Sequence, residues 1–263
     1  MVPEEILLGL FLATFAGLST AIGGIIVLFY QKPTARVLSL ALGLSAGVML
    51  TVSFLEIIPI AIERLGFIEA NFTLLIAIAL MYFLDAFIPH SYEVEGYLES
   101  CELDSSEIMN NSKLLYTGKM IAVGIFLHNL PEGIVTVAGT LETVTLGVIL
   151  AIAITVHNIP EGISVAIPIY CATNDPKYAF KISFLSGLAE PVGALAAALF
   201  LLPFLDSKLI PLSLAFVAGL MIFISIDELL PASQVYEEHH MTALGFFIGM
   251  FIMILTIGLL NSH

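Results

Sequence analysis

The sequence predicts an all-α polytopic membrane protein, an eight-transmembrane-helix bundle with its N- and C-termini outside. Three observations lead there. Of the 263 residues, 59% are hydrophobic and only 11% are charged, against about 25% charged in an ordinary soluble domain. Apolar runs of roughly 20 residues recur, the length a helix needs to cross a bilayer, and the alternation of barrel strands is absent. The few basic residues gather on one side of the chain's successive crossings. With a mean hydropathy of +1.04, this composition excludes a cytosolic globular enzyme, a nucleic-acid binder and a disordered chain.

Taken in order, span 1 covers Ile6–Tyr30. It follows Met1-Val2-Pro3-Glu4-Glu5, which is acidic where a secretory signal is basic, and it is long enough to cross. Span 2 covers Val37–Ala61, span 3 Phe72–Ile88, span 4 Thr117–Gly139 and span 5 Val144–Tyr170. Span 6 covers Ala179–Leu202, span 7 Leu209–Leu230 and span 8 Thr242–Leu260. Basic residues set the orientation. Lys32, Arg36, Lys113, Lys119, Lys177 and Lys181 share one side, and only Arg64 and Lys208 fall on the other. The richer side is cytoplasmic by the positive-inside rule, which places both ends outside. Most connections are short, so consecutive spans are antiparallel neighbours, and residues 1–263 read as a single integral membrane domain.

One connection differs. From about residue 90 to 119 the chain is polar, cytoplasmic and acidic, with Glu93, Glu95, Glu99, Glu102, Asp104 and Glu107. Such a run reads as a solvated, self-repelling loop or, more sharply, as a weak collector of cations. The two cysteines, Cys101 in this loop and Cys171 at the end of span 5, form no CxxC pair. On the predicted cytoplasmic side they favour neither a structural disulfide nor a thiolate zinc site.

The net charge of −14 makes the position of each acid informative. Glu56, His128, Asn129, Glu132, His157, Asn158, Glu161, Glu190 and Asp227 fall within the spans. A charged residue facing lipid at mid-bilayer costs roughly 2.5–3.5 kcal/mol on insertion scales, so such residues face the bundle interior or water. Asn and His alone would serve as interhelical hydrogen-bond staples. Three central glutamates with two histidines exceed that role, because neighbouring carboxylates repel unless a cation or proton lies between them.

The spacing sharpens the point. Span 4 carries His128-Asn129-Leu130-Pro131-Glu132-Gly133-Ile134, and span 5 carries His157-Asn158-Ile159-Pro160-Glu161-Gly162-Ile163. His and Glu at i and i+4 share one helix face. A short turn near Glu142 makes the two helices antiparallel, so two imidazoles and two carboxylates converge on one cavity, a metal-ligand set. Pro131 and Pro160 strand the carbonyls of Leu127 and Val156, which is tolerated at membrane depth only inside protein or beside water. Gly133 and Gly162 admit a close neighbour helix. Span 6 adds Glu190 before Pro191 as a third metal-facing acid. Carboxylate, imidazole and amide oxygen suit zinc, ferrous iron, manganese and cobalt. The lack of core cysteine argues against Cu(I), and the histidines argue against a dedicated magnesium or calcium site.

At these residues the sequence resembles the ZIP family of divalent metal transporters. With the motif on both spans it is most similar to the prokaryotic ZupT-type subgroup. Ala16–Gly24, Ser45–Leu50, Asp227–Pro231 and His239-His240 extend the resemblance over nearly the whole chain. The resemblance implies eight helices with both ends outside and a binuclear centre between spans 4, 5 and 6. His128, Glu132, His157 and Glu161 would hold one ion. Asn129, Asn158 and Glu190 would complete a second site, with Glu132 and Glu161 bridging. Met49, Ser53 and Glu56 on span 2 would contribute to the metal path, and His239 and His240 would form a cytoplasmic exit site or a solvated turn. The resemblance further implies uptake of zinc, with iron, manganese, cobalt and cadmium as further substrates, across the cell membrane by an elevator-like shift of spans 1, 4, 5 and 6. One departure is that the loop between spans 3 and 4 is acidic rather than histidine-rich.

The expected partners are divalent metal ions and membrane lipid, not nucleic acid, and a homodimer is compatible with the sequence. The metal is substrate, and no separate cofactor is expected. The rival reading is an intramembrane metal-dependent hydrolase. No His-Glu-x-x-His spacing occurs, and the doubled set exceeds the three ligands of a catalytic zinc, so an enzyme is not expected. A metal-gated channel would share every residue with the carrier, and saturable flux distinguishes the two.

Overall fold

The computed structural model describes residues 4–29, 34–85, 111–201, 208–234 and 238–262. Among these residues the only regular structure is helical, and eight helices are long and apolar enough to cross a membrane. Span 1 is Glu4–Phe29 and span 3 is Phe67–Asp85. Span 4 is Asn111–Glu142, span 5 is Val144–Thr173 and span 8 is His239–Asn261. Most of the expected acidic loop lies outside the described residues, but its last part is corrected: the span 4 helix already begins at Asn111. The expectation of no disulfide is corrected too, since Cys171 is disulfide-bonded; Cys101 lies outside the described residues.

Three spans are not simple α-helices. Span 2 runs as Ala35–Val52, passes through a π-helical turn at Ser53–Ile57, and resumes as Ile58–Leu65. Span 7 runs as Leu209–Ile224, passes through a π turn at Ser225–Leu229, and resumes as Leu230–Gln234. The two turns have matching sequences, Ser-Phe-Leu-Glu-Ile-Ile-Pro from Ser53 and Ser-Ile-Asp-Glu-Leu-Leu-Pro from Ser225. In each, the proline lacks an amide and would crowd the preceding turn of an α-helix. The wider π turn accommodates it. Span 6 breaks instead: Pro176–Gly187 ends, Leu188 turns, and Ala189–Leu201 continues. Pro191 falls in the first turn after the break, where a missing amide costs nothing.

Small residues face inward and large ones outward. On span 1, Gly9, Ala13, Ala16, Gly17, Thr20 and Gly24 are buried, while Phe11, Phe15, Leu18 and Phe29 are exposed. Lipid is as apolar as leucine, so association rests on close packing and interhelical hydrogen bonds rather than on the hydrophobic effect. The most apolar stretches of spans 5 and 7 are 72% buried, against 17% in spans 3 and 8, so spans 3 and 8 form the periphery.

The close packing divides the helices into two groups. Spans 1, 4, 5 and 6 pack on one another, and spans 2, 3, 7 and 8 pack on one another. Within the first group, a Cβ on Gly162 would lie 2.0 Å from the carbonyl oxygen of Thr20, and one on Gly133 would lie 2.0 Å from that of Glu190. Within the second, Gly43 and Gly47 press on Thr242 and Phe246, while Gly245 and Gly249 press on Leu40 and Leu44. Among the described residues no glycine makes such a backbone approach from one group to the other. The seam, where span 5 meets span 2 and span 4 meets span 7, is filled by apolar side chains such as Val52, Val135, Ile154 and Met221.

Ion pairs tie helix ends that an alternating bundle places on the same side. Arg36 at the start of span 2 lies 2.9 Å from Glu238 before span 8, and Lys208 before span 7 lies 3.0 Å from Glu69 near the start of span 3. Arg64 at the end of span 2 pairs with Glu142 at the end of span 4, across the seam.

Candidate metal centre

The helices of spans 4 and 5 run without interruption through Pro131 and Pro160, and one residue, Thr143, separates them. The Thr143 hydroxyl caps span 5 by accepting from the amide of Leu146 at 3.0 Å, which fixes a tight antiparallel reversal. That reversal brings the two motifs together, and the histidines pair across it. His157 Nε2 lies 2.8 Å from Glu132 Oε1, and His128 Nε2 lies 3.7 Å from Glu161 Oε1. His128 also lies 3.4 Å from Glu132 on its own helix. Ligand atoms of His128, Glu132 and Glu161 all lie within 4.8 Å of one another, and all three residues are buried. Ions such as zinc hold nitrogen and oxygen ligands at about 2.0–2.2 Å, so the ligands of one ion stand at most about 4.4 Å apart. Small side-chain adjustments bring this trio into that range.

Asn158 and Glu190 form the neighbouring tier. The Asn158 amide donates to Glu190 Oε1 and, at 3.0 Å, to the carbonyl of Ala16 on span 1. The break in span 6 carries Glu190 to this position, where it interacts electrostatically with Glu132 and Glu161. The Asn129 amide reaches the Ser186 carbonyl at 3.4 Å, a backbone group next to the same break that also accepts from the Leu188 amide. Span 1 therefore frames the centre through backbone, and its glycines allow that approach.

A shortage of partners characterises the group. Among the described residues, Asn129 Oδ1, Glu132 Oε2, His157 Nδ1, Asn158 Oδ1, Glu190 Oε2, His128 Nε2 and both Glu161 oxygens are buried without a hydrogen bond. A buried acceptor left unmade costs roughly 1–3 kcal/mol, more when charged. Eight such atoms, all able to offer a lone pair, suit a cation far better than a hydrogen-bonded core.

The structure thus brings His128, Glu132, His157, Asn158, Glu161 and Glu190 together, with Asn129 at the edge. The remaining expected path residues are described by other contacts. Met49 is buried in the apolar core. Ser53 Oγ lies 3.9 Å from the Met221 sulfur. Glu56 accepts from the Asn261 amide at 3.1 and 3.2 Å. His239 and His240 are exposed at the opposite end of span 8 from Asn261. Three contributors were missed in the sequence. The Ser45 hydroxyl donates to the His157 carbonyl at 3.0 Å, from span 2 across the seam. The buried hydroxyl of Thr20 has no hydrogen bond and would lie 3.0 Å from a Cβ on Gly187. Glu228, in the span 7 π turn, interacts electrostatically with His128 and Glu161. Only Glu228 had a readable signal, the Ser-x-x-Glu pattern shared by the two π turns.

Comparison with known proteins agrees with this geometry. The family profile described as ZIP Zinc transporter matches residues 94–257. The Zinc transporter ZupT of Campylobacter jejuni is 43% identical, with 98% of each chain covered. That of Oceanobacillus iheyensis is 43% identical over 98% of this chain and 99% of its own. That of Lysinibacillus sphaericus is 44% identical over 97% and 98%. These matches take in the three spans before the profile as well as the paired motif, and the chain belongs to the ZIP zinc transporter family, in its ZupT-type branch.

Proposed function

We propose that this multi-pass plasma-membrane protein takes up divalent transition-metal ions, zinc foremost, and delivers them to the cytoplasm. The observation that carries the reading is the cluster of His128, Glu132 and Glu161, whose ligand atoms lie within 4.8 Å in a buried site rich in unsatisfied lone pairs. The family membership and the zinc-transporter relatives support the same substrate class. The ion is cargo, and the centre needs no cofactor of its own.

In this reading His128, Glu132, His157 and Glu161 hold one ion. Asn129, Asn158 and Glu190 complete a second position, with Glu132 and Glu161 shared. Both ends of the chain face outside, and iron, manganese, cobalt and cadmium are further candidate cargo. The two helix groups suggest the movement. Spans 1, 4, 5 and 6 carry every proposed ligand, are packed together by glycine-backbone contacts, and meet the other group along a seam without such contacts. A shift of the first group as a body carries the ion from one side of the membrane to the other. Protons compete for the same lone pairs, which aids release.

The test is zinc uptake into proteoliposomes by the purified protein and by Glu132→Ala and Glu161→Ala. Both variants insert and remain monodisperse but lose uptake. Normal radiotracer uptake by either one overturns the assignment, and ohmic current in place of saturable flux replaces the carrier with a channel. No observation favours the hydrolase reading.

A further inference from the structure

We propose that an anionic phospholipid occupies the groove between spans 4 and 6, with its headgroup at Lys119 and an acyl chain lying along the helix that carries Glu190. The groove has a volume of about 590 Å³ and is walled by Lys119, Val123 and Phe126 on span 4 and by Leu185, Leu188 and Val192 on span 6. Its wall is apolar except at Lys119 and Ser186. Val123, Phe126, Leu185 and Val192 are all exposed, so in a bilayer the surface is covered by lipid or by another apolar body.

Length and charge select the occupant. The span 6 wall extends from Ile182 to Val192, which at 1.5 Å per residue is about 15 Å. That is about one leaflet of a hydrocarbon core ~30 Å thick. The groove therefore starts at an interface, where Lys119 stands, and ends near mid-bilayer beside Glu190, the geometry of one acyl chain. In a chain of net charge −14, three lysines stand at the described part of this end. Lys119, Lys177 and Lys181 are exposed there, and the nearby Asp175 carboxylate is engaged by the amides of Lys177 and Tyr178 at 3.0 and 3.1 Å. Lysine near a membrane surface attracts anionic headgroups, each worth about fivefold in binding.

The groove also backs onto the metal centre. Val192 lies two residues beyond Glu190, on the opposite face of the same helix, and Leu188 is the turn residue just before that helix. Ser186 lines the groove, and its carbonyl accepts from Asn129. A lipid chain in the groove braces the broken part of span 6 from behind and steadies the second tier of ligands. The site rests on the transport reading only for this coupling. The binding itself does not.

The test is lipid retention by the delipidated full-length protein in native mass spectrometry, comparing phosphatidylglycerol with phosphatidylcholine of identical chains. Phosphatidylglycerol binds at least fivefold tighter to the wild type. Lys119→Gln lowers it toward the phosphatidylcholine level, and Val123→Trp, which fills the groove, removes it. In phosphatidylcholine vesicles, added phosphatidylglycerol speeds zinc uptake by the wild type but not by Lys119→Gln, whose basal rate is unchanged. Equal retention of the two lipids, undiminished retention by Val123→Trp, or efficient cross-linking of Val123→Cys to a second copy overturns the proposal. Absent uptake in every vesicle would instead sink the transport reading and leave the retention result to stand by itself.

Discussion

Replacing Gly133 by alanine adds one methyl group to one of the two tightest crossings in the centre. The new Cβ would lie 2.0 Å from the Glu190 carbonyl oxygen and 2.7 Å from the Ala194 nitrogen. Ordinary contact begins at 3.4 Å, and the obstacle is backbone, so no rotamer change relieves it. Spans 4 and 6 must part by about 1.4 Å, and the reciprocal approach of Gly193 to the Leu130 carbonyl opens with them. Overpacking of this kind costs about 1–3 kcal/mol of stability. Because the displaced backbone belongs to Glu190, a shift of about 1 Å also misplaces a ligand, an effect on the order of 100-fold when geometry must be exact to a fraction of an ångström. Gly124→Ala on the same helix is the control. Nothing lies within 4 Å of its Cβ, so it gains about 0.5–1 kcal/mol from helix propensity. Thermal melting in detergent and zinc titration read both effects. If Gly133→Ala melts no lower than Gly124→Ala and binds zinc as the wild type does, helix contact does not position Glu190.

Other perturbations probe the rest of the frame. Cysteines at Arg64 and Glu142, which pair across the seam, should cross-link under oxidation and stop zinc uptake until reduced; undiminished uptake by the cross-linked protein would show that this seam does not move. Asn261→Leu leaves the buried Glu56 carboxylate without its amide donor and should destabilise the fold by about 1–3 kcal/mol, read as a lower melting temperature with zinc affinity retained. Ser45→Ala removes the hydroxyl on the His157 carbonyl and should cost about 1 kcal/mol; a zinc affinity and melting temperature both equal to wild type would leave that contact without a role.

The core of the site was legible because its chemistry is concentrated in local sequence. A repeated His-Asn-x-Pro-Glu-Gly on two apolar runs joined by a short turn has few geometric solutions, and the cross-pairing of His157 with Glu132 and of His128 with Glu161 follows from antiparallel reversal. The span count was legible for a similar reason, since length and apolarity alone define a crossing. Ser45 and Thr20 were not legible, because a single hydroxyl on a small-residue helix face looks like packing until the partner helix is placed. Asn261 as the partner of Glu56 depends on two spans distant in sequence meeting at one end. The break at Leu188 needed the structure as well: Gly187 and Pro191 permit a break, but neither requires one within a hydrophobic helix. Cys171 was misread because compartment was weighed above placement.

The matched π turns at Ser53–Ile57 and Ser225–Leu229 bear on how this chain tolerates change in length. A π turn holds one residue more than the α-helical turn it replaces, so each is in effect an insertion retained inside a span. Deleting one residue inside such a turn would let an unbroken α-helix close with the residues on either side near their present register. The cost there falls on Pro59 or Pro231, which would meet an α-helical turn with no room for it, about 3 kcal/mol. A deletion elsewhere in these spans has no such slack and would swing everything beyond it by about 100° about the axis. In spans 2 and 7 a deletion scan should therefore show loss of register everywhere except in two narrow windows at these turns, where only stability falls.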